Sequence, residues 1–127
     1  MNMRKIPVIL DADTGIDDTM ALLICATSSK LDVLAAVSTF GNTTIDYATQ
    51  NTMDVLALCG RQDIAVGMGA DRPWKKKLRT SPYIHGVNGI GEYQMPEHHR
   101  EALSPLPAWD LAYEKIMACP EKVTYVA

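Results

Sequence analysis

Hydrophobic positions fall along the chain in alternating runs and stripes, which predict strands and helices in turn. Residues 6–10 (IPVIL) form a continuous apolar run, the pattern of a strand buried on both faces of a parallel sheet. Acidic residues follow, and then Met20-Ala21-Leu22-Leu23-Ile24-Cys25-Ala26 reads as a buried helix that begins near Asp17. Residues 31–38 (LDVLAAVS) predict a second strand. Thr43 and Asp46 are spaced as a capping box that opens a second helix. Its inner face carries Ala48, Thr52, Val55, Leu56 and Cys59, and it stops at Gly60. Residues 64–66 (IAV) predict a short third strand. From position 67 to about 107 the periodicity dissolves into glycine, proline and charge, a length that in compact domains marks a functional or mobile loop. Trp109, Ala112, Tyr113, Ile116 and Met117 share one face of a last helix and are expected in the core. Pro120 closes that helix, and residues 122–127 (KVTYVA) start a fourth strand.

The order β-α-β-α-β-loop-α-β predicts an α/β fold with a mainly parallel open sheet and flanking helices, one domain over 1–127. In open α/β sheets ligand groups sit just past the carboxyl ends of strands, and here the sequence stops inside its fourth strand. The expectation is the front portion of a larger α/β protein, with the C-terminal part missing.

Composition narrows the function classes. The chain has 127 residues, 47% hydrophobic and 21% charged, which suits a globular protein and not a disordered one. Its net charge of −3 carries no electrostatic footprint for nucleic acid, and Lys75-Lys76-Lys77 reads as a solvated loop. Cys25, Cys59 and Cys119 form no CxxC pair and no zinc spacing, so thiols in a reducing compartment are expected. The first apolar run is too short for a signal peptide, and nothing approaches the length of a membrane span. A cytoplasmic location and no membrane partner follow as expectations.

The candidate chemistry lies after the first strand. Asp11-Ala12-Asp13-Thr14-Gly15-Ile16-Asp17-Asp18 puts four carboxylates within eight residues. Such crowding raises their pKa values unless something compensates. Asp17 and Asp18 fall in the first turn of a helix, whose dipole favours anions by ~0.3–1 kcal/mol each. Capping accounts for one or two acids, not four. The sharper compensator is a hard divalent cation, which takes oxygens from several carboxylates at once. Asp11 and Asp13 point to the same side of a strand, and Gly15 permits a tight turn that brings Asp17 and Asp18 back toward Asp13. With no His or Cys nearby, Ca²⁺ fits better than Zn²⁺, and Mg²⁺ stays open.

The run Asp11-Ala12-Asp13-Thr14-Gly15-Ile16-Asp17-Asp18 resembles the DxDPGxDD signature of the inosine-uridine preferring nucleoside hydrolases, with Thr14 in place of the usual proline. Thr39-Phe40-Gly41-Asn42 stands where that family carries a Gly-Asn, and His85-Gly86-Val87-Asn88-Gly89-Ile90-Gly91 is similar to its HGxxGLG segment. The resemblance implies Ca²⁺-dependent hydrolysis of the N-glycosidic bond of ribonucleosides to ribose and free base, of use in nucleoside salvage. It implies Asp13 as general base and, with Asp18 and Asp17, a holder of the Ca²⁺. Asp17, Asn42 and His85 would contact the ribose or substrate, and Asp11 would support the cluster from behind. A homodimer or tetramer is implied for a full-length form. Family members are longer, so the remaining Ca²⁺ ligands and the leaving-group acid would lie beyond position 127, leaving about half a site here.

The other candidates have plainer readings. His98 and His99 point apart and are expected to be exposed, and Trp109, Tyr113 and Met117 are expected as core. Trp74 and Tyr83 lie in the long loop and could pack on a base or a partner. Two alternatives compete with the hydrolase. One is an inactive or split-gene fragment that binds Ca²⁺ or a partner chain. The other is a haloacid dehalogenase-type phosphatase, which also follows a buried strand with DxD but leaves Asp17 and Asp18 unexplained.

Overall fold

A computed structural model describes residues 3–127. Eight elements follow one another: β1 (Ile6–Ala12), α1 (Ile16–Thr27), β2 (Leu31–Ser38), α2 (Ile45–Leu58), β3 (Val66–Met68), α3 (Pro82–His85), α4 (Ala108–Ala118) and β4 (Thr124–Val126). The strands make one sheet in the order β3-β2-β1-β4, and every pairing is parallel. A parallel sheet needs cover on both faces, and the apolar run of β1 supplies it in alternation. Val8 and Leu10 pack with Leu22 and Ala26 of α1 and Met53, Val55 and Leu56 of α2. Ile9 packs on the opposite face with Ala108, Leu111 and Ala112 of α4. The β1–β2 register shifts between Val8 and Ile9, where β2 inserts Leu34. That bulge lets Val33 and Ala36 serve one face and Ala35 and Val37 the other.

The α/β reading of the sequence holds, and several local expectations are corrected. Helix α2 begins after Thr44, which makes no side-chain cap, so there is no capping box. The Thr43 hydroxyl instead donates to the Val87 carbonyl at 3.0 Å, a partner 44 residues away that no local pattern announces. The helix ends where expected, with Gly60 at φ +66°, a left-handed conformation that glycine adopts without strain. The third strand is two residues later than 64–66. Ile64 is buried but turns back onto Arg61, and pairing with β2 starts at Val66.

The last helix is rotated from its expected face. Trp109, Tyr113 and Met117 are 61%, 65% and 66% exposed, while Ala108, Leu111 and Ala112 are buried. Small residues win the inner face because α4 sits close on β3, where a Cβ on Gly67 would lie 2.9 Å from the Ala108 Cα. Among the described residues no helix is long and apolar enough to cross a membrane.

Candidate functional site

The chain leaves the sheet at Ala12, so Asp13 does not stand on the strand beside Asp11 as the alternation implied. Asp13 swings toward the segment after β2. There the Asn42 backbone N–H donates to Asp13 Oδ2 at 2.6 Å. Gly41 permits the approach, because a Cβ at that position would overlap the carboxylate. Asp18, in the first turn of α1, reaches the same carboxylate and forms a side-chain hydrogen bond with it. Two carboxyl groups can share such a bond only by sharing a proton. Burial, that bond and the Asp13 charge push Asp18 up to about 7, against a Gly15 N–H that pulls the other way. Burial also opposes ionisation of Asp13, but the bonds from Asp18 and the Asn42 N–H outweigh it and hold Asp13 below the usual carboxylate range.

The donor set matches a hard cation in kind: two neighbouring carboxyl groups whose mutual repulsion a positive species would relieve. It does not match in number, since among the described residues no group of three His, Cys, Asp or Glu side chains is placed to hold a metal. Asp17 is exposed in the first turn of α1 and does not join the pair. Asp11 also stands apart, accepting a 2.8 Å hydrogen bond from the Tyr125 hydroxyl of β4.

His85 is brought to the site by the long loop. The Ile16 backbone N–H donates to its Nδ1 at 3.3 Å, which puts the proton of a neutral ring on Nε2. Gly15 was expected to supply a tight turn, but its φ is −99°. What it supplies is space, for a Cβ there would lie 2.7 Å from His85 Nδ1.

Three polar residues, Thr14, Asn51 and Asp54, fasten these parts together. Thr14 is fully buried and shares a 2.7 Å hydrogen bond with Thr52 of α2, so it secures the turn where proline usually stands. The Asn51 amide donates to the Thr14 carbonyl at 3.2 Å and to the Asn88 carbonyl at 2.8 Å, joining the aspartate turn to the His85 loop. Asp54, one helical turn further on, is 1% exposed. It accepts from Gln50 Nε2 at 3.0 Å and the His99 N–H at 2.8 Å, and it contacts His98 Nδ1 at 2.7 Å. His98 is exposed as expected, although its ring reaches Asp54, whereas His99 is partly buried; both are tied to α2. The single available signal was polarity on an otherwise apolar helix face.

Two results are expected from this geometry. Asn51→Ala removes both bridges and leaves two carbonyls to water, at a cost of about 1–2 kcal/mol. Hydrogen exchange read over residues 86–91 should rise well above exchange in α2; equal protection in the variant would refute the bridging role. Burial first, then the bond to Asp11 and its charge, push the Tyr125 phenol up to about 12 from an ordinary value of 10.0. The neutral phenol is the bonded form, so its stabilisation is present below about pH 10 and lost as pH rises through about 12. Ultraviolet titration should show one late tyrosine in the wild type, moving only part of the way back toward the ordinary range in Asp11→Asn, because burial remains.

Similarity to known proteins fits this arrangement. Residues 8–127 match the family profile described as "Inosine-uridine preferring nucleoside hydrolase". The chain is 33% identical to "Uridine nucleosidase 1" of Arabidopsis thaliana over 121 residues, covering 94% of this chain and 36% of that protein. It is 36% identical over 122 residues to "Pyrimidine-specific ribonucleoside hydrolase RihA" of Citrobacter koseri, covering 96% of this chain and 39% of the relative. Among solved structures, "Purine-Preferring Ribonucleoside Hydrolase from Gardnerella vaginalis" superposes with a TM-score of 0.85 at 27% identity, over 94% of this chain and 39% of that one. "Plant nucleoside hydrolase - PpNRh1 enzyme" superposes with a TM-score of 0.83 at 32% identity, over 94% and 38%. The chain thus spans well under half the length of these relatives.

Proposed function

The chain belongs to the inosine-uridine preferring nucleoside hydrolase family, and from that premise we propose that it contributes the sugar-side half of a site that hydrolyses the N-glycosidic bond of a ribonucleoside. The observation that carries the reading is the Asp13–Asp18 pair at the carboxyl end of β1, oriented by Asn42 and faced by His85. The family membership also sets aside the phosphatase alternative.

In this reading Asp13 and Asp18 would hold a Ca²⁺ ion, which would supply Lewis-acid polarisation. Asp13 is held below the usual carboxylate range, so it stays ionised at neutral pH and can accept a proton from the attacking water. The water oxygen bonds to ribose C1′ as the C1′–N bond breaks, and the electron pair of that bond leaves with the base. The sugar passes through a cationic, oxocarbenium-like state, which the neighbouring carboxylates stabilise. Asn42, fixed through its backbone, and the exposed carboxylate of Asp17 would hold ribose hydroxyls in this reading. His85 presents Nε2–H from the loop side. Products are ribose and a free base, the form in which bases are re-used.

Titrating the protein with Ca²⁺ and assaying uridine and inosine hydrolysis tests the proposal. Ca²⁺ binding with release of ribose supports it; a protein that binds neither Ca²⁺ nor nucleoside overturns it. A second reading, a chain that needs another polypeptide segment before it turns over, is favoured by the exposed Trp109, Tyr113 and Met117 beside a β4 edge whose residues are all exposed. Binding without turnover, rescued by the remaining segment of a relative, is its signature.

A further inference from the structure

The loop between β3 and α3 is not a free excursion. The Phe40 N–H donates to the Ala70 carbonyl at 3.2 Å, and the Ser81 N–H donates to the Asn42 carbonyl at 2.8 Å. Both feet of the loop therefore stand on residues 40–42, the segment that holds Asp13. Between the feet lies a cavity of about 660 Å³ lined by Phe40, Pro73, Lys76, Lys77 and Arg79. That volume is within the range of small-molecule sites, roughly 300–1,000 Å³. No carboxylate lines it, and none is paired with these three cations among the described residues; the nearby Asp71 is spent on Arg72 at 3.6 Å. Three uncompensated positive charges around a half-buried aromatic ring are unusual in a chain of net charge −3. The solvated-loop reading of the lysines accounts for Lys75 but not for the convergence of Lys76, Lys77 and Arg79 on one concavity.

We propose that this cavity binds the phosphate of a nucleoside 5′-monophosphate, with the ribose directed toward Asp13. A phosphate monoester carries roughly −1.5 to −2 charges at neutral pH, which Lys76, Lys77 and Arg79 neutralise through charge-assisted hydrogen bonds. Phe40, which lines the cavity, offers an aromatic ring to the sugar or base. Phe40 is two residues from Asn42, so the cavity wall is about 8 Å or less along the backbone from the group that grips Asp13. The concave shape favours one nucleotide over a polymer or a membrane, which would need a flat or convex basic surface. The proposal rests on the reading of Asp13 and Asp18 as the ribose end, and it extends that reading to phosphorylated substrates.

The test is calorimetric and NMR titration of the 127-residue protein, in Ca²⁺, with uridine, uridine 5′-monophosphate and inorganic phosphate. The triple variant Lys76→Ala/Lys77→Ala/Arg79→Ala removes only exposed side chains and serves as the control. The monophosphate is expected to bind about tenfold or more tightly than uridine, with an advantage that shrinks as salt is raised. Inorganic phosphate should shift the Arg79 Nε resonance, and the variant should lose both effects while keeping its uridine affinity. Equal affinity for uridine and its monophosphate, or an advantage that survives in the variant, overturns the proposal. Tighter binding to single-stranded RNA or to phosphatidylserine vesicles than to the mononucleotide overturns it too, by assigning the loop to a macromolecule. Loss of uridine and Ca²⁺ binding with the phosphate response intact counts against the hydrolase reading and leaves the basic cavity standing.

Discussion

Asp13→Asn is expected to lower Ca²⁺-dependent nucleoside hydrolysis by about 10²–10⁴-fold, the range associated with loss of a positioned general base. The substitution is nearly isosteric, and the amide oxygen can still accept from the Asn42 N–H, so the turn at Gly41 need not move. What is lost is the negative charge. An amide cannot take a proton from water, and it is a far weaker ligand for a hard cation than a carboxylate. Ca²⁺ affinity should fall together with turnover, whereas the thermal midpoint without Ca²⁺ should hold or rise, since Asp18 no longer faces a like charge. Steady-state assay, Ca²⁺ titration and calorimetric melting read the three quantities separately. Unchanged turnover in this variant removes Asp13 from the chemistry.

Asp54→Ala is the second large effect, and it falls on stability. The carboxylate is 1% exposed and gathers Gln50, His98 and the His99 N–H, so its removal strands donors on two segments and leaves a void in α2's packing. Losses of this kind cost about 2–4 kcal/mol. Urea unfolding should show a lower midpoint with an unchanged slope if the fold survives. Asp54→Asn, which keeps an acceptor for the His99 N–H, should recover part of the loss. Equal stability of all three proteins contradicts a supporting role for this cluster.

The sequence disclosed the elements whose signals are local. β1, α1 and β2 are apolar runs of the right length and lie within a residue or two of their expected limits. The acidic motif located Asp13 and Asp18 because the chemistry of crowded carboxylates is itself a local signal. Elements decided by long-range fit were harder to see. Large apolar residues suggested one face of α4, yet Gly67 draws the helix so close that alanines fit there and the aromatics turn outward. Thr43 had the spacing of a cap but found Val87 instead. Asn51 and Asp54 carry no local signal of their role on α2, since the partners that tie them to the loops lie 37 to 45 residues away. Asp11 belongs to the same motif as Asp13, but its partner Tyr125 is 114 residues distant, so the motif's spacing misjudged its company.

The paired anchors at Ala70 and Ser81 carry a consequence for how such a protein can diversify. Loop-closure entropy grows only with the logarithm of length, so residues 71–80 could be exchanged, lengthened or recharged with little penalty to folding. New preferences could then arise in that one stretch while Asp13 and Asp18 stay untouched.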